Sequence, residues 1–232
     1  MDVEMHEIGV SRSRVIVIDN FLEDARQVIE AAAALAPFPP EGDTAYPGRR
    51  RQISPDDAAC AYVMKALQPL VPVINRCFGA PSFSVVEASF SMVTTRPEAL
   101  QAVQRVPHFD CDDQSVLAVL HHLHDIPATG TSFYRHKATG IERVGPATAA
   151  AMREALRAEG TRPARAETGF VGETDEVFEK IFSVEGRFNR LAIYQGCLLH
   201  SGIITPGFDY SSDPRTGRLT GNLFVRMNGA VQ

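Results

Sequence analysis

No stretch of this 232-residue chain approaches the roughly 18 consecutive apolar residues that a membrane-spanning helix requires. Basic residues are in the minority, 23 Lys and Arg against 28 Asp and Glu. The net charge of −5 therefore argues against nucleic acid or an acidic membrane as the main partner. The four cysteines, Cys60, Cys77, Cys111 and Cys197, form no C-x-x-C pair. The opening residues, MDVEMHEIGVSRSR, mix charges of both signs and lack the apolar centre of a secretory signal. Reduced thiols and a cytoplasmic location are the expectation. There is no internal repeat. A hydrophobic fraction of 44% and a charged fraction of 22% are those of an ordinary globule, and the length suits one domain over 1–232 with a substantial core.

The first clear element is RVIVIDNFL, whose run Val15 to Ile18 has the β-branched character of a buried strand. LEDARQVIEAAAAL is rich in helix formers and ends at Pro37. Residues 37–55 carry five prolines and read as an irregular loop, with Arg49, Arg50 and Arg51 as a solvated basic cluster or, less favoured, a substrate contact. Helices are expected over 55–67 and 71–78, the second stopped by Gly79. From Ser82 the character changes. FSVVEASFSMVTT, QSVLAVLHHL, TSFYRH, NRLAIYQG and RLTGNLFVRM are short, β-branched or aromatic, and bounded by turn residues. Between them ATAAAMREALRAEG and ETDEVFEKIFSVEG both read as helix-forming, which gives a helical insertion over 145–186. The fold class expected is mainly β with α support: a jelly-roll β core over 82–227, with N-terminal helical support over 15–79.

PHFDCDD places His108 and Asp110 two residues apart. On an extended segment such residues point to one face, so an imidazole and a carboxylate can converge on one ion. Alone the pair is a weak signal, and a water-satisfied surface pair would explain it. His200, in NRLAIYQGCLLHSGIITP just past a strand-like run, supplies a third donor. Two His and one carboxylate can occupy one face of an octahedral metal and leave three positions open, which suits non-haem Fe(II). A structural zinc site would close all its positions, usually with thiolates, and no such ligand set is present.

These blocks together resemble the Fe(II)/2-oxoglutarate-dependent oxygenases, and within them the prolyl 4-hydroxylase-like branch, from about Val15 to Met227. VIVIDNFL is similar to that branch's N-terminal strand, HFD to its H-x-D block, and HHLHDIPATGTSFYRH to its next strand and Gly-Gly-Thr turn. NRLAIYQGCLLHSGIITP is similar to its distal histidine block, and TGRLTGNLFV to the final strand with an Arg-x-Ser/Thr pair. The resemblance implies a double-stranded β-helix holding Fe(II) through His108, Asp110 and His200. It also implies that Arg218 grips the distal carboxylate of the cosubstrate 2-oxoglutarate while Thr220 adds a hydrogen bond. A planar guanidinium fork suits two carboxylate oxygens. Arg215, in a turn, is the rival. His122 stands where the branch carries a tyrosine, which would place it in the cosubstrate pocket. Thr129 replaces the first glycine of the turn and leaves Gly130, and GFDYSSDP is extra sequence before Arg218.

His121, His122 and His124 cannot form a second metal site on one strand, because His121 points away from the other two. Asp112 and Asp113 read as loop carboxylates, Cys111 and Cys197 as core thiols. The function implied is dioxygenation, by default hydroxylation, of a small molecule or peptide. The alternatives are a jelly-roll that binds a ligand without turnover, and a cupin-type metal enzyme with no use for Arg218. Specificity is expected in the helical insertion and in the loop around Tyr46 to Arg51.

Overall fold

The computed structural model describes residues 2–40, 45–205 and 207–229. Two antiparallel sheets face each other. The larger contains β1 (Asp2–Ile8), β2 (Ser13–Asp19), β3 (Gly48–Gln52), β4 (Ser82–Val93), β5 (Val116–His122), β8 (Arg190–Gln195) and β10 (Leu219–Asn228), in the order β1-β2-β8-β5-β10-β4-β3. The smaller contains β6 (Gly130–His136), β7 (Phe178–Glu185) and β9 (His200–Ile203), in the order β7-β6-β9. A bridge between His108 and His200 adds the H-x-D segment to the free edge of β9. The non-sequential neighbours are those of a double-stranded β-helix.

Strand alternation divides the core in two. Ile16 and Ile18 of β2, Leu117 and Val119 of β5, and Leu191 and Ile193 of β8 point outward. They pack on α1 (Ala25–Ala34), α2 (Cys60–Leu67) and α3 (Val71–Phe78) through Val28, Tyr62, Ala66 and Ile74. The intervening residues, Val15, Val17, Ala118, Ala192 and Tyr194, face the smaller sheet and meet Phe133, Val184 and Leu198. The outer face is apolar where the helices lie, except for His121, which meets Tyr62 of α2. The inner face becomes polar toward one end, with Ser89 and Ser91 of β4 and Thr220 of β10 all buried. That polar end holds the site. Helix α3 ends as expected at Gly79, whose φ of 72° is a left-handed cap that glycine takes without a Cβ penalty.

Three elements depart from the sequence expectation. The helical insertion does not extend over 145–186: α4 (Pro146–Gly160) and α5 (Pro163–Thr168) are helical, but Phe178–Glu185 is strand β7, paired with β6. The register steps from Phe133↔Phe182 to Tyr134↔Lys180 and skips Ile181. This bulge breaks the two-residue alternation and spaces Phe178, Ile181 and Phe182 as a helix would. Second, residues 48–52 are not loop but the edge strand β3, so the three arginines stand on a sheet. Third, Asp2–Ile8 forms an edge strand whose mostly exposed, charged residues carry no hydrophobic period. Charge on an edge strand blunts its tendency to pair with other chains.

Candidate active site

His108 and His200 are backbone partners. His108 N–H donates to His200 O at 2.9 Å, and His200 N–H to His108 O at 2.8 Å. This pairing sets the two imidazoles side by side, with ring centroids 4.3 Å apart. Asp110 is fixed by its own N–H, which donates to Gly196 O at 2.7 Å. Gly196 lies close against the carboxylate it supports: a Cβ there would stand 3.3 Å from Asp110 Cβ and Oδ2, a tight contact. The result brings all three sequence-predicted donors together. His108 Nε2 lies 3.9 Å from Asp110 Oδ1, His200 Nε2 lies 3.7 Å from Asp110 Oδ2, and the three ligand atoms fall within 4.8 Å of one another.

The electrostatics suit ligation. His200 Nδ1 faces the Leu198 carbonyl at 2.8 Å. A carbonyl only accepts, so Nδ1 carries the proton and the Nε2 lone pair is directed at the cluster. Burial, then the neighbouring His200, then Arg50 hold His108 well below the usual imidazole range, keeping it neutral. Burial raises the Asp110 carboxyl, an effect opposed by His200 and Arg50. A divalent cation would relieve that cost.

Arg218, one residue before β10, points into the same inner space. It is 4% exposed. Its Nη2 donates to Gly130 O at 2.8 Å, while its Nε has no hydrogen-bond partner. No carboxylate among the described residues pairs with it, and burial pulls its pKa down. A buried, unpaired guanidinium is costly unless something anionic joins it. Gly202 of β9 faces the guanidinium, where a Cβ would stand 3.5 Å from Arg218 Nη2; Gly130, with a φ of 145°, packs on β7, where a Cβ would collide with the Val184 carbonyl oxygen. Thr220, two residues on, is on the same face, its hydroxyl 3.4 Å from Ser91 O and 3.2 Å from Asn222 Nδ2.

One cavity joins these groups. His108, His200, Tyr194, Arg218, Thr220 and Arg50 all line it. Tyr194 sits edge-on to His200, centroids 5.0 Å apart, and burial raises its hydroxyl well above the usual phenol range, so it stays neutral. His122 does not line the cavity, and Leu120 on the same face of β5 does. His122 lies behind Arg218, fully buried with both ring nitrogens unpartnered, and burial and Arg218 hold it well below the usual range. Arg215 is remote from the cavity, its Nη2 bonded to Glu30 at 2.6 Å on the surface. His121 is a core residue between Tyr62 OH and Asn189 Oδ1. Asp113 holds Ser115 and Arg226 and stays out of the cluster.

Sequence reasoning did not single out Tyr194, and placed Arg50 in a loop. Both lie on strands whose inward face is decided by register: Tyr194 opposite Ala118, and Arg50 opposite Ser91.

The model of a family of unknown function, DUF6445, matches residues 1–225. No protein in the curated set matches by sequence. Among solved structures, the non-heme α-ketoglutarate-dependent epimerase SnoN from nogalamycin biosynthesis superposes with a TM-score of 0.55 at 14% identity, covering 94% of this chain and 80% of that one. HygX from Streptomyces hygroscopicus, with nickel, 2-oxoglutarate and hygromycin B bound, gives 0.54 at 13%, covering 93% and 83%. AviO1 from Streptomyces viridochromogenes gives 0.52 at 13%, covering 94% and 91%. At such identities the likeness is one of fold, the double-stranded β-helix.

Proposed function

We propose that this chain, which belongs to the DUF6445 family, is an Fe(II)- and 2-oxoglutarate-dependent oxygenase acting on a small molecule or peptide. One observation carries the reading: a buried arginine without an anionic partner opens onto the same cavity as a His-Asp-His cluster. The cluster offers two imidazole nitrogens and one carboxylate oxygen, the donor set of an open non-haem Fe(II) site. Arg218 offers the fork that a distal carboxylate needs. A cupin-type metal enzyme would have no use for that arginine, and a metal-free binding module none for the cluster.

His108, Asp110 and His200 would hold the metal, and Arg218 with Thr220 the far carboxylate of 2-oxoglutarate. Together metal and cosubstrate supply oxidation of a nearby C–H bond, with succinate and CO₂ as co-products. The chain's own contribution is placement. The Leu198 carbonyl locks the His200 tautomer, and the Gly130 carbonyl steers the guanidinium. Leu120 and Tyr194 give the cavity apolar walls that exclude water from the reacting face. SnoN is an α-ketoglutarate-dependent epimerase and HygX binds 2-oxoglutarate, which agrees with the reading.

Anaerobic titration tests it. Addition of Fe(II) and then 2-oxoglutarate should give the visible charge-transfer absorption of a chelated complex, and aerobic incubation should convert 2-oxoglutarate to succinate. A chain that binds Fe(II) but gives neither signal is not this enzyme.

A further inference from the structure

Alternation on β3 separates the three consecutive arginines. Arg49 Nη1 donates to Phe38 O at 2.9 Å, and Arg51 Nη2 to Asp57 Oδ1 at 3.0 Å, so both serve the scaffold. Arg50 turns the other way, opposite the inward-facing Ser91, and enters the cavity that holds His108, His200 and Arg218. Its position is fixed at two points: Nε donates to Ser91 Oγ at 3.0 Å, and the guanidinium lies 4.9 Å from the Tyr46 ring centroid. Its two terminal amino groups remain open. Among the described residues none accepts a hydrogen bond from them, and the nearest carboxylate oxygen, Glu87 Oε1, is 3.9 Å from Nη1. The Arg50 side chain is 22% exposed, so it looks into the cavity from the solvent side, whereas Arg218 closes the far end.

We propose that Arg50 is the recognition residue for an anionic group, a carboxylate or phosphate, on the primary substrate, and so determines specificity. This rests on the oxygenase reading, because the charge balance comes from it. The charges of Fe(II), Asp110, a doubly ionised 2-oxoglutarate and Arg218 cancel, which leaves Arg50 and the more distant Glu87, with the terminal donors of Arg50 unbonded. Among the described residues Glu87 is the one carboxylate within ion-pair distance of Arg50, 3.9 Å away and too far to hydrogen-bond. Arg50 shares its cavity with His108 and His200, so a group held there lies in the space the metal ligands face. A fixed, forked guanidinium with open N–H groups matches two oxygens of such an anion and holds the rest of the molecule in register.

The test uses the anaerobic Fe(II)–2-oxoglutarate complex at constant ionic strength. Acetate, inorganic phosphate and neutral acetamide are each titrated against thermal unfolding. Acetate or phosphate should raise the midpoint, and which of them does so identifies the anion; acetamide should not. Arg50→Gln should weaken that anion at least roughly tenfold while changing the 2-oxoglutarate affinity by less than about threefold. Glu87→Gln, which removes the competing charge, should tighten it. The proposal is overturned if neither anion binds the wild type, or if Arg50→Gln responds like the wild type. It is equally overturned if Arg50→Gln loses 2-oxoglutarate, which would make Arg50 part of the cosubstrate site. Failure of Fe(II) and 2-oxoglutarate to bind the wild type would instead refute the oxygenase reading. The same anion titration on the metal-free chain then decides Arg50 alone.

Discussion

Replacing Arg218 by Met should make the ligand-free chain more stable while destroying its affinity for 2-oxoglutarate. The guanidinium is 4% exposed, has one hydrogen bond, to the Gly130 carbonyl, and no carboxylate partner among the described residues. Taking an ion out of water costs several kcal/mol after relaxation. The single charge-assisted bond returns only about 1.5–3 kcal/mol. A methionine of similar length has no such cost and fills irregular space well. The net gain is therefore about 1–2 kcal/mol, which for a chain of this size is a rise in midpoint of roughly 2–8 °C. Binding moves the other way. Losing the partner of a desolvated carboxylate costs on the order of 3–5 kcal/mol, and at about 1.4 kcal/mol per tenfold the affinity falls by at least two orders of magnitude.

The two effects cross in a single assay, thermal unfolding of wild type and Arg218→Met with and without 2-oxoglutarate at fixed metal. At a ligand concentration about 100 times its dissociation constant the wild type gains about 2.7 kcal/mol and the variant almost none. The variant should be the more stable protein without ligand and the less stable one with it. A variant that is destabilised by more than about 1 kcal/mol without ligand and still responds to 2-oxoglutarate would refute the reasoning. Arg218 would then be a structural cation.

His108→Ala and His200→Ala should each abolish stoichiometric Fe(II) binding with the far-UV circular dichroism unchanged, because each leaves one imidazole and one carboxylate, a poor site. Arg215→Ala should leave both 2-oxoglutarate titrations and denaturant melts essentially unaltered, its contact being an exposed ion pair with Glu30. Gly130→Ala should lower stability by at least about 1–3 kcal/mol, since a side chain there is both strained and in collision with the Val184 carbonyl, and should also weaken 2-oxoglutarate by moving the Arg218 anchor. Acid should unfold the chain early. Burial lowers His121 to about 4 and His124 to about 3, so the unfolded chain binds more protons than the folded one below its ordinary imidazole value near 6.5. The contribution of each is fully present above pH ~6.5 and declines by about 1.4 kcal/mol per pH unit as pH falls, levelling off at the folded values. Melts of His121→Gln against wild type at pH 7 and 5 check this; an unchanged pH slope in the variant would contradict it.

The parts of the site that were legible in the sequence are those encoded locally. His108 and Asp110 share a face because an extended segment repeats every two residues, and that needs no knowledge of the rest of the fold. Arg218 and Thr220 are visible for the same reason, once a family pattern points to the last strand. The parts that were illegible depend on distant pairing. Arg50 sits in a stretch dense in proline, and only its register with Ser91 turns it toward the cavity while Arg49 and Arg51 go to Phe38 and Asp57. Strand β7 was hidden by the bulge at Ile181, which replaces an alternating pattern by a helical one. His122 occupies an inward position as the alternation requires, yet the cavity ends at Leu120. A two-residue period gives the face of a side chain but not the depth at which a cavity stops.

The division of the large sheet explains how the chain carries so polar an interior. Each central strand sends its outward residues into the helices, where Tyr62 stacks on Phe90 at 5.5 Å and the faces are apolar but for His121. Its inward residues toward one end are Ser89, Ser91, Thr220, His122 and Arg218, several of them with unpartnered atoms. At roughly 25 cal/mol per Å² of apolar surface, the helix-covered face stabilises the sheet independently of what lines its other side. Because the two faces alternate on the same backbone, the helices also fix the angle at which the inward groups stand. Gly221 illustrates the coupling. It lies between the inward Thr220 and Asn222, and a Cβ on it would strike the Tyr62 hydroxyl of α2. A side chain there would lift the last strand off its helix and carry Thr220 and Arg218 with it. Gly221→Ala should therefore weaken 2-oxoglutarate binding from the opposite side of the sheet, in proportion to the stability it costs, and compensation by Tyr62→Phe, which removes the obstructing hydroxyl, would separate this route from a direct contact.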